Sequence, residues 1–485
     1  MVLTKFGDLV MLFTSLEFLF LFFPITLAIY FFLPQKARNY WLLVVSLLFY
    51  AWGEPVFLIA MVASIVFNYF VALRISECKP HVFQRKLMMF IAVIGNLGLL
   101  FVYKYMNFTT ATLHRFFPST EEMFSVTNFV LPIGISFFTF QALSYVIDVY
   151  RGIPVQKNIF YLGLYISFFP QLIAGPIVRY TTIAEQIENR TVTKDGFAEG
   201  IKRFLYGFNK KVLLSNLLAI VADYAFGNQK LSVVMAWLGI ICYTLQIYFD
   251  FSGYSVMAIG LGRMFGFEFL ENFNYPYISK TITEFWRRWH ISLGSWFRDY
   301  VYFPLGGSRV KSKLRMVFNL FVTWFATGVW HGASWNFILW GVLYGVIITV
   351  EKLISIPKLS ENKIVFSVFY QIFTMLMVMF GWVLFRAENL SAAIEYFKAM
   401  FGFTGNSVLD TTAIFYLKEY CVIIIFGILA STPIFKFIWK KIDGIGKYGA
   451  VLSSTLEKGV QLILFIISIS FLVMNAHNPF IYFNF

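Results

Sequence analysis

The stretch RMVFNLFVTWFATGVWHGASWNFILWGVLYGVIITVEK, Arg315 to Lys352, decides what kind of protein this is. Between its basic ends, the 35 residues from Met316 to Val350 carry no formal charge. As one helix they would extend ~52 Å, whereas the hydrocarbon core of a bilayer is about 30 Å thick. The run must therefore break inside the membrane. Gly328, His331, Gly332, Ala333 and Ser334 mark the place, because glycine tolerates non-helical backbone. About 22 Å of helical rise separates Met316 from His331, which puts this histidine deep in the bilayer, between Trp330 and Trp335. A polar ring at that depth is tolerated only where protein or a water-filled cavity surrounds it, and it is then a functional candidate. The competing reading is a packing histidine bonded to a neighbouring carbonyl. The small residues after His331 leave open space that a packing role does not require.

Composition carries the same message along the rest of the chain. Of 485 residues, 59% are hydrophobic and 13% charged, with mean hydropathy +0.72. That charged share is roughly half the ~25% of a soluble domain, which excludes a soluble globular protein. A transmembrane barrel is disfavoured because the apolar runs lack dyad alternation. The expectation is an all-α polytopic membrane protein forming one integral domain over residues 1–485. About eleven spans are predicted, near 9–33, 40–52, 56–75, 86–106, 129–150, 158–178, 203–225, 233–260, 364–385, 413–439 and 458–475. The run from Leu9 to Leu33 is too long for a signal-peptide core and is expected to remain as the first span.

The net charge is +14. Its basic residues fall in short clusters, Lys36/Arg38, Arg85/Lys86, Lys202/Arg203 with Lys210/Lys211, Arg309 to Arg315, and Lys436/Lys440/Lys441. These read as cytoplasmic loops under the positive-inside rule, not as a nucleic-acid surface. Cys78, Cys242 and Cys421 lie far apart, so neither a disulfide framework nor a zinc site is indicated.

Between 262 and 352, charges, glycines and prolines interrupt the apolar pattern. Re-entrant or interfacial structure is expected there, with the catalytic region at about 245–345. In TITEFWRRWHISLGSWFRDY (Thr281 to Tyr300), Ile282, Phe285, Trp286, Trp289, Leu293, Trp296, Phe297 and Tyr300 follow a helical stripe. One amphipathic helix in the cytoplasmic interface is predicted. Arg287 and Arg288 lie on its polar side, and His290 at the edge of its apolar stripe. Gln246 and Asp250 sit one turn apart in an apolar span, where a carboxylate needs a partner or lines a polar path. Asn319 and Arg179 are weaker candidates. Nucleophile-elbow, Walker, HExxH and DxD motifs are absent from the sequence, and no Cys, His or acidic residue clusters with His290 or His331 at ligand spacing, so no metal is expected. Histidine suits acyl transfer from a thioester to a hydroxyl, because the hydroxyl proton must be taken and then returned to the leaving thiolate by a base that works near neutral pH.

Several segments together resemble the membrane-bound O-acyltransferases: ISFFTFQALSYVIDVYRG (135–152), SFFPQLIAGPIVRY (167–180), LQIYFDFSGYSVMAIGLGRMFGF (245–267), FWRRWHISLGSWFRDYVYFPLGG (285–307), GVWHGASWNFILWG (328–341), GWVLFRAENL (381–390) and NPFIYFNF (478–485). The likeness is to the bacterial alginate O-acetyltransferase branch and is weakest over 107–128 and 403–457. It implies that His331 is the essential catalytic histidine and His290 the second histidine of the active-site region. It also implies a central funnel with the donor arriving from the cytoplasm, and a separate extracytoplasmic acyltransferase or an exported polymer as acceptor.

Two functional readings follow. In the first, the chain is a bacterial inner-membrane enzyme that takes acetyl from acetyl-CoA as co-substrate, with no other cofactor. His331 is then the base, and His290, Trp286, Arg287, Arg288, Trp330, Asn319, Gln246 and Asp250 line the substrate path. In the second, it is a transporter or channel for an acyl donor or small solute, since broken helices with midplane polar residues serve that role too. Inverted repeats would favour transport, and the sequence has none that we detect. From Lys280 to Arg315 the local charge balance is +6, close to half the total in 36 residues, where a phosphate-rich donor would enter.

Overall fold

The computed structural model describes residues 11–78, 81–120, 130–173, 175–474 and 481. The start of the expected first span and most of the 478–485 motif lie outside the described residues. Helices make up the regular structure, and no strand occurs among the described residues.

Eight helices are long and apolar enough to cross a membrane: Phe57–Glu77, Val82–Phe116, Lys194–Gly227, Val233–Met264, Trp335–Leu353, Ile364–Arg386, Thr411–Ala430 and Tyr448–Val473. Seven coincide with expected spans. The eighth, Trp335–Leu353, falls where only re-entrant or interfacial structure was predicted, so that reading is corrected for the end of the region. Other expected spans form shorter helices. Phe18–Phe32 is a short apolar helix, Ile135–Arg151 has 17 residues, and the 158–178 window is divided into Ile159–Ser167 and Phe169–Leu172. Pro170 falls in the first turn of the second piece, where a missing N–H is tolerated, but it cannot continue a preceding helix.

The chain sorts into two compact units, Met1–Ile201 with Met257–Leu270, and Lys202–Val256 with Glu271–Phe485. In the first, Asn68 on one span and Asn96 on the next exchange amide hydrogen bonds of 3.0 and 2.7 Å. Such polar pairs join helices where lipid supplies no hydrophobic drive. Rings of Phe13, Phe18, Phe22, Phe49, Phe169 and Phe265 pack together.

The second unit holds both histidines, the hairpin and the cavity described below. Its centre is a hairpin of Lys313–His331 and Trp335–Leu353, whose turn is the break anticipated in the 35-residue run. The two helices meet at Gly328 and Gly341. A Cβ on either would lie under 3.0 Å from backbone of the opposing helix, so only glycine permits this approach. His331 is the last helical residue, and Gly332 departs in extended backbone.

Thr281–Tyr300 is not one helix. It divides into Ile282–Arg288, Ile291–Phe297 and a π-helical turn Arg298–Tyr302. The break is at His290, whose φ of 44° and ψ of 53° are left-handed, a conformation that interrupts any right-handed helix. The periodic stripe concealed this joint because apolar spacing continues through it. Ile282–Arg288 is capped by Thr281, which accepts from the Glu284 amide, and by the fully buried Glu351 of the hairpin. Glu351 accepts from the amides of Ile282 and Thr283 at 2.7 and 2.8 Å and from the Thr283 hydroxyl. A carboxylate on free helical N–H groups is favoured both by hydrogen bonding and by the helix dipole. It ties the short helix to the hairpin.

Candidate active site

A cavity of about 440 Å³ opens between these short helices and the hairpin. Leu320, Thr323, Trp324 and Thr327 line one face of the Lys313–His331 helix, so the cavity follows that helix for about 10 Å and reaches within one turn of His331. Trp286, Arg287, His290 and Arg298 line it from the opposite side. Tyr302, at the basic end of the hairpin, also borders it, and the Lys352 ammonium donates there to the Tyr302 and Ser308 hydroxyls. Arg298 is paired with Asp299. Arg287 is exposed and has no acidic partner among the described residues, so its guanidinium is available to an anion at the cavity mouth.

His290 is 2% exposed. Its Nδ1 lies 3.1 Å from Asn272 Oδ1, its ring meets Phe251 edge-on at 4.6 Å, and its Nε2 has no hydrogen-bond partner among the described residues. Burial pushes its pKa from the ordinary 6.5 down to about 3, so the ring is neutral at physiological pH. His331 is 4% exposed and enclosed by aromatic rings, with centroids of Trp340, Trp330 and Phe385 at 4.8, 5.0 and 5.3 Å. Trp330 lies near both histidines, 6.3 Å from His290 and 5.0 Å from His331. From the cavity, Trp286 contacts Trp340 at 5.3 Å, and Trp340 contacts His331. The two histidines thus flank an aromatic layer, His290 on the cavity side and His331 behind it.

The remaining candidates separate. Trp286 and Arg287 line the cavity. Arg288 turns away, bonded to Glu284 and to the Asn274 carbonyl. Asn319 donates to the Gly307 carbonyl and holds the 306–307 turn. Asp250 forms a 2.6 Å ion pair with Lys211, both groups 1% exposed. This corrects the placement of Lys211 in a cytoplasmic loop: it lies inside the Lys194–Gly227 span, where a buried carboxylate explains an otherwise expensive ammonium. Gln246 is buried beside this pair, its backbone carbonyl accepting from the Ser215 hydroxyl. Arg179 belongs to the first unit, ahead of the helix Tyr180–Asn189. Sequence reading missed Asn272 and Glu351, which touch no apolar stripe and belong to no catalytic motif. Among the described residues no group of three or more His, Cys, Asp or Glu could hold a metal ion.

Residues 79–385 match the family described as MBOAT, membrane-bound O-acyltransferase. The chain belongs to this family. As a membrane-bound O-acyltransferase it is a multi-pass membrane enzyme, and the matched region contains both histidines, the short helices and the hairpin. It is 41% identical to the probable alginate O-acetylase AlgI of Pseudomonas putida, over 98% of this chain and all of that protein. It is 34% identical to the peptidoglycan O-acetyltransferase of Helicobacter pylori, over 98% of each chain. Identity to the teichoic acid D-alanyltransferase of Bacillus subtilis is also 34%, over 46% of this chain and 59% of that one.

Proposed function

We propose that this acyltransferase takes acetyl from cytosolic acetyl-CoA and delivers it, in the bacterial cytoplasmic membrane, to O-acetylation of an exported polysaccharide or peptidoglycan, directly or through a separate extracytoplasmic acyltransferase. The observation that carries this reading is the cavity lined by Arg287, Arg298, His290 and Thr327, the last of these one helical turn before His331. In this reading the arginines meet the donor's phosphates and the cavity takes part of its slender pantetheine arm, which is longer than the passage. Relatives whose names include alginate O-acetylase and peptidoglycan O-acetyltransferase support the acyl group and the acceptor class.

In this mechanism the acceptor hydroxyl approaches His331, which removes its proton as the oxygen attacks the thioester carbonyl. The tetrahedral intermediate collapses by breaking the carbon–sulfur bond. The imidazolium returns its proton to the departing CoA thiolate, leaving acetyl ester, CoA thiol and neutral histidine. Trp330, Trp340 and Phe385 hold the ring and exclude bulk water, which would otherwise hydrolyse the thioester. His290 orients the donor from the cavity side.

Membranes containing the protein, incubated with labelled acetyl-CoA and deacetylated polymer, test this reading. Label transfers to the polymer with the parent protein and not with His331→Ala at matched levels of inserted protein. Undiminished transfer by the variant rejects the assignment of His331. Movement of an acyl donor without any acyl product identifies a transporter instead.

A further inference from the structure

We propose that Asn272 is the positioning residue that fixes His290, which lines the cavity, as its Nδ1–H tautomer, so that Nε2 carries a bare lone pair able to receive a donor from the molecule bound there. The inference rests on the acyltransferase reading for its consequence, although the geometry stands without it.

The orientation of the Asn272 amide is settled by its neighbours. The Ser292 backbone N–H, which can only donate, points at Oδ1 from 3.1 Å, and the Ser292 hydroxyl donates to the same atom at 2.9 Å. On the other side, Nδ2 donates to the Ser255 hydroxyl at 3.0 Å. Flipping the amide would set two donors face to face at Ser292, so the atom opposite His290 Nδ1 is an oxygen. An acceptor there requires hydrogen on Nδ1. In a neutral imidazole Nε2 is then unprotonated, and this is the ring atom with no partner among the described residues.

The same asparagine also holds the unusual backbone. A left-handed non-glycine residue persists only where surroundings over-determine it. Here the Ile291 amide donates to the Asn272 carbonyl and the Asn274 amide to the Arg288 carbonyl, both at 2.9 Å, bracketing His290. Residues 272–274 thus form a rail that sets both the φ of His290 and its tautomer. The chemical consequence is directional. His290 accepts a hydrogen bond or proton from the cavity occupant, such as an amide N–H of a pantetheine arm. It does not donate one to the thioester oxygen.

The test is ¹⁵N NMR of the full-length, histidine-labelled protein in detergent, with His290→Gln used to assign the signal, run beside acetyl-transfer kinetics. The parent shows protonated Nδ1 and bare Nε2 at neutral pH. Asn272→Asp keeps that tautomer and moves the titration midpoint up by about one to three pH units, because a carboxylate now faces the ring. Asn272→Leu, of similar size but without an acceptor, loses the tautomer and lowers kcat on the order of 10²-fold while KM for acetyl-CoA stays within about twofold. Ser255→Ala removes only the neighbouring bond and leaves tautomer and kcat unchanged. An Nε2–H tautomer in the parent overturns the proposal. So does equal loss of activity in the Asp and Leu variants with the titration unmoved, which marks a purely structural asparagine. A parent with the Nδ1–H tautomer that transfers no acetyl overturns the donor reading and leaves the tautomer assignment standing.

Discussion

Two buried polar clusters lie in the same unit, and they differ in how completely they are satisfied. Both carboxylate oxygens of Asp250 have partners, although the nearby Gln246 Oε1 has none among the described residues: Lys211 and Ser215 approach Oδ1, and the Ile481 amide donates to Oδ2 at 3.1 Å. Lys211 in turn donates to Asn216 at 2.8 Å. Around His290, which lines a cavity, Nδ1 is held by Asn272 while the buried Nε2 has no hydrogen-bond partner among the described residues. A closed network fixes helices in place, whereas an imidazole with one satisfied and one open nitrogen is prepared for a ligand. Both would look alike in a list of polar residues within apolar sequence, so satisfaction, not polarity, separates scaffold from site.

The sharpest way to break this contrast is at the histidines. His331→Ala, which removes the proposed base, should lower acetyl transfer by about 10²- to 10⁴-fold without changing thermal stability in detergent by a comparable measure. At the ion pair the expectation reverses. Lys211→Met or Asp250→Leu alone leaves a buried charge uncompensated and should destabilise the protein by about 3–5 kcal/mol. The double replacement should recover most of that loss, and thermal unfolding of the four proteins reads it directly. Singles that unfold at the parent temperature would show that the pair is not closed.

Smaller effects are expected at the cavity mouth. Arg287→Ala should raise KM for acetyl-CoA by about two- to fivefold, the scale of an exposed ion pair, with kcat unchanged. The difference from the parent should shrink as salt is added.

A further effect concerns pH and is confined to acid conditions. His290 has a folded pKa near 3 against an ordinary 6.5, so below pH 6.5 the unfolded chain binds a proton that the folded chain refuses. Its stability contribution is complete above pH 6.5 and is lost as pH falls towards 3. His290→Gln should flatten that part of the acid dependence of unfolding, and an unchanged acid dependence would count against a buried neutral ring.

Much of this architecture was legible in the sequence. The length of the Met316–Val350 run against the thickness of a bilayer required a break, and the hairpin turn falls at Gly332–Ser334. The basic excess around 280–315 marked the region that now borders the cavity. The joint at His290 was not legible, because the apolar spacing of Phe285, Trp289 and Leu293 passes through it and a left-handed histidine has no compositional signature. Asn272 was hidden for a related reason. Its role comes from bonds to residues 18 to 20 positions after it and, at Ser255, 17 positions before it, none of which periodicity reports. Lys211 was misplaced because a lysine beside another lysine reads as a loop, and only its proximity to Asp250 explains its burial.

The central claim is that the His290 cavity receives the acyl donor, and site-directed protection tests it most directly. Ser295 lines the cavity, so Ser295→Cys, in a protein with Cys78, Cys242 and Cys421 replaced by serine or alanine, places one thiol there. Its reaction rate with a maleimide should fall several-fold when acetyl-CoA is added and recover when the donor is washed out. An unchanged rate at acetyl-CoA concentrations that support full transfer would place the donor elsewhere and contradict the account.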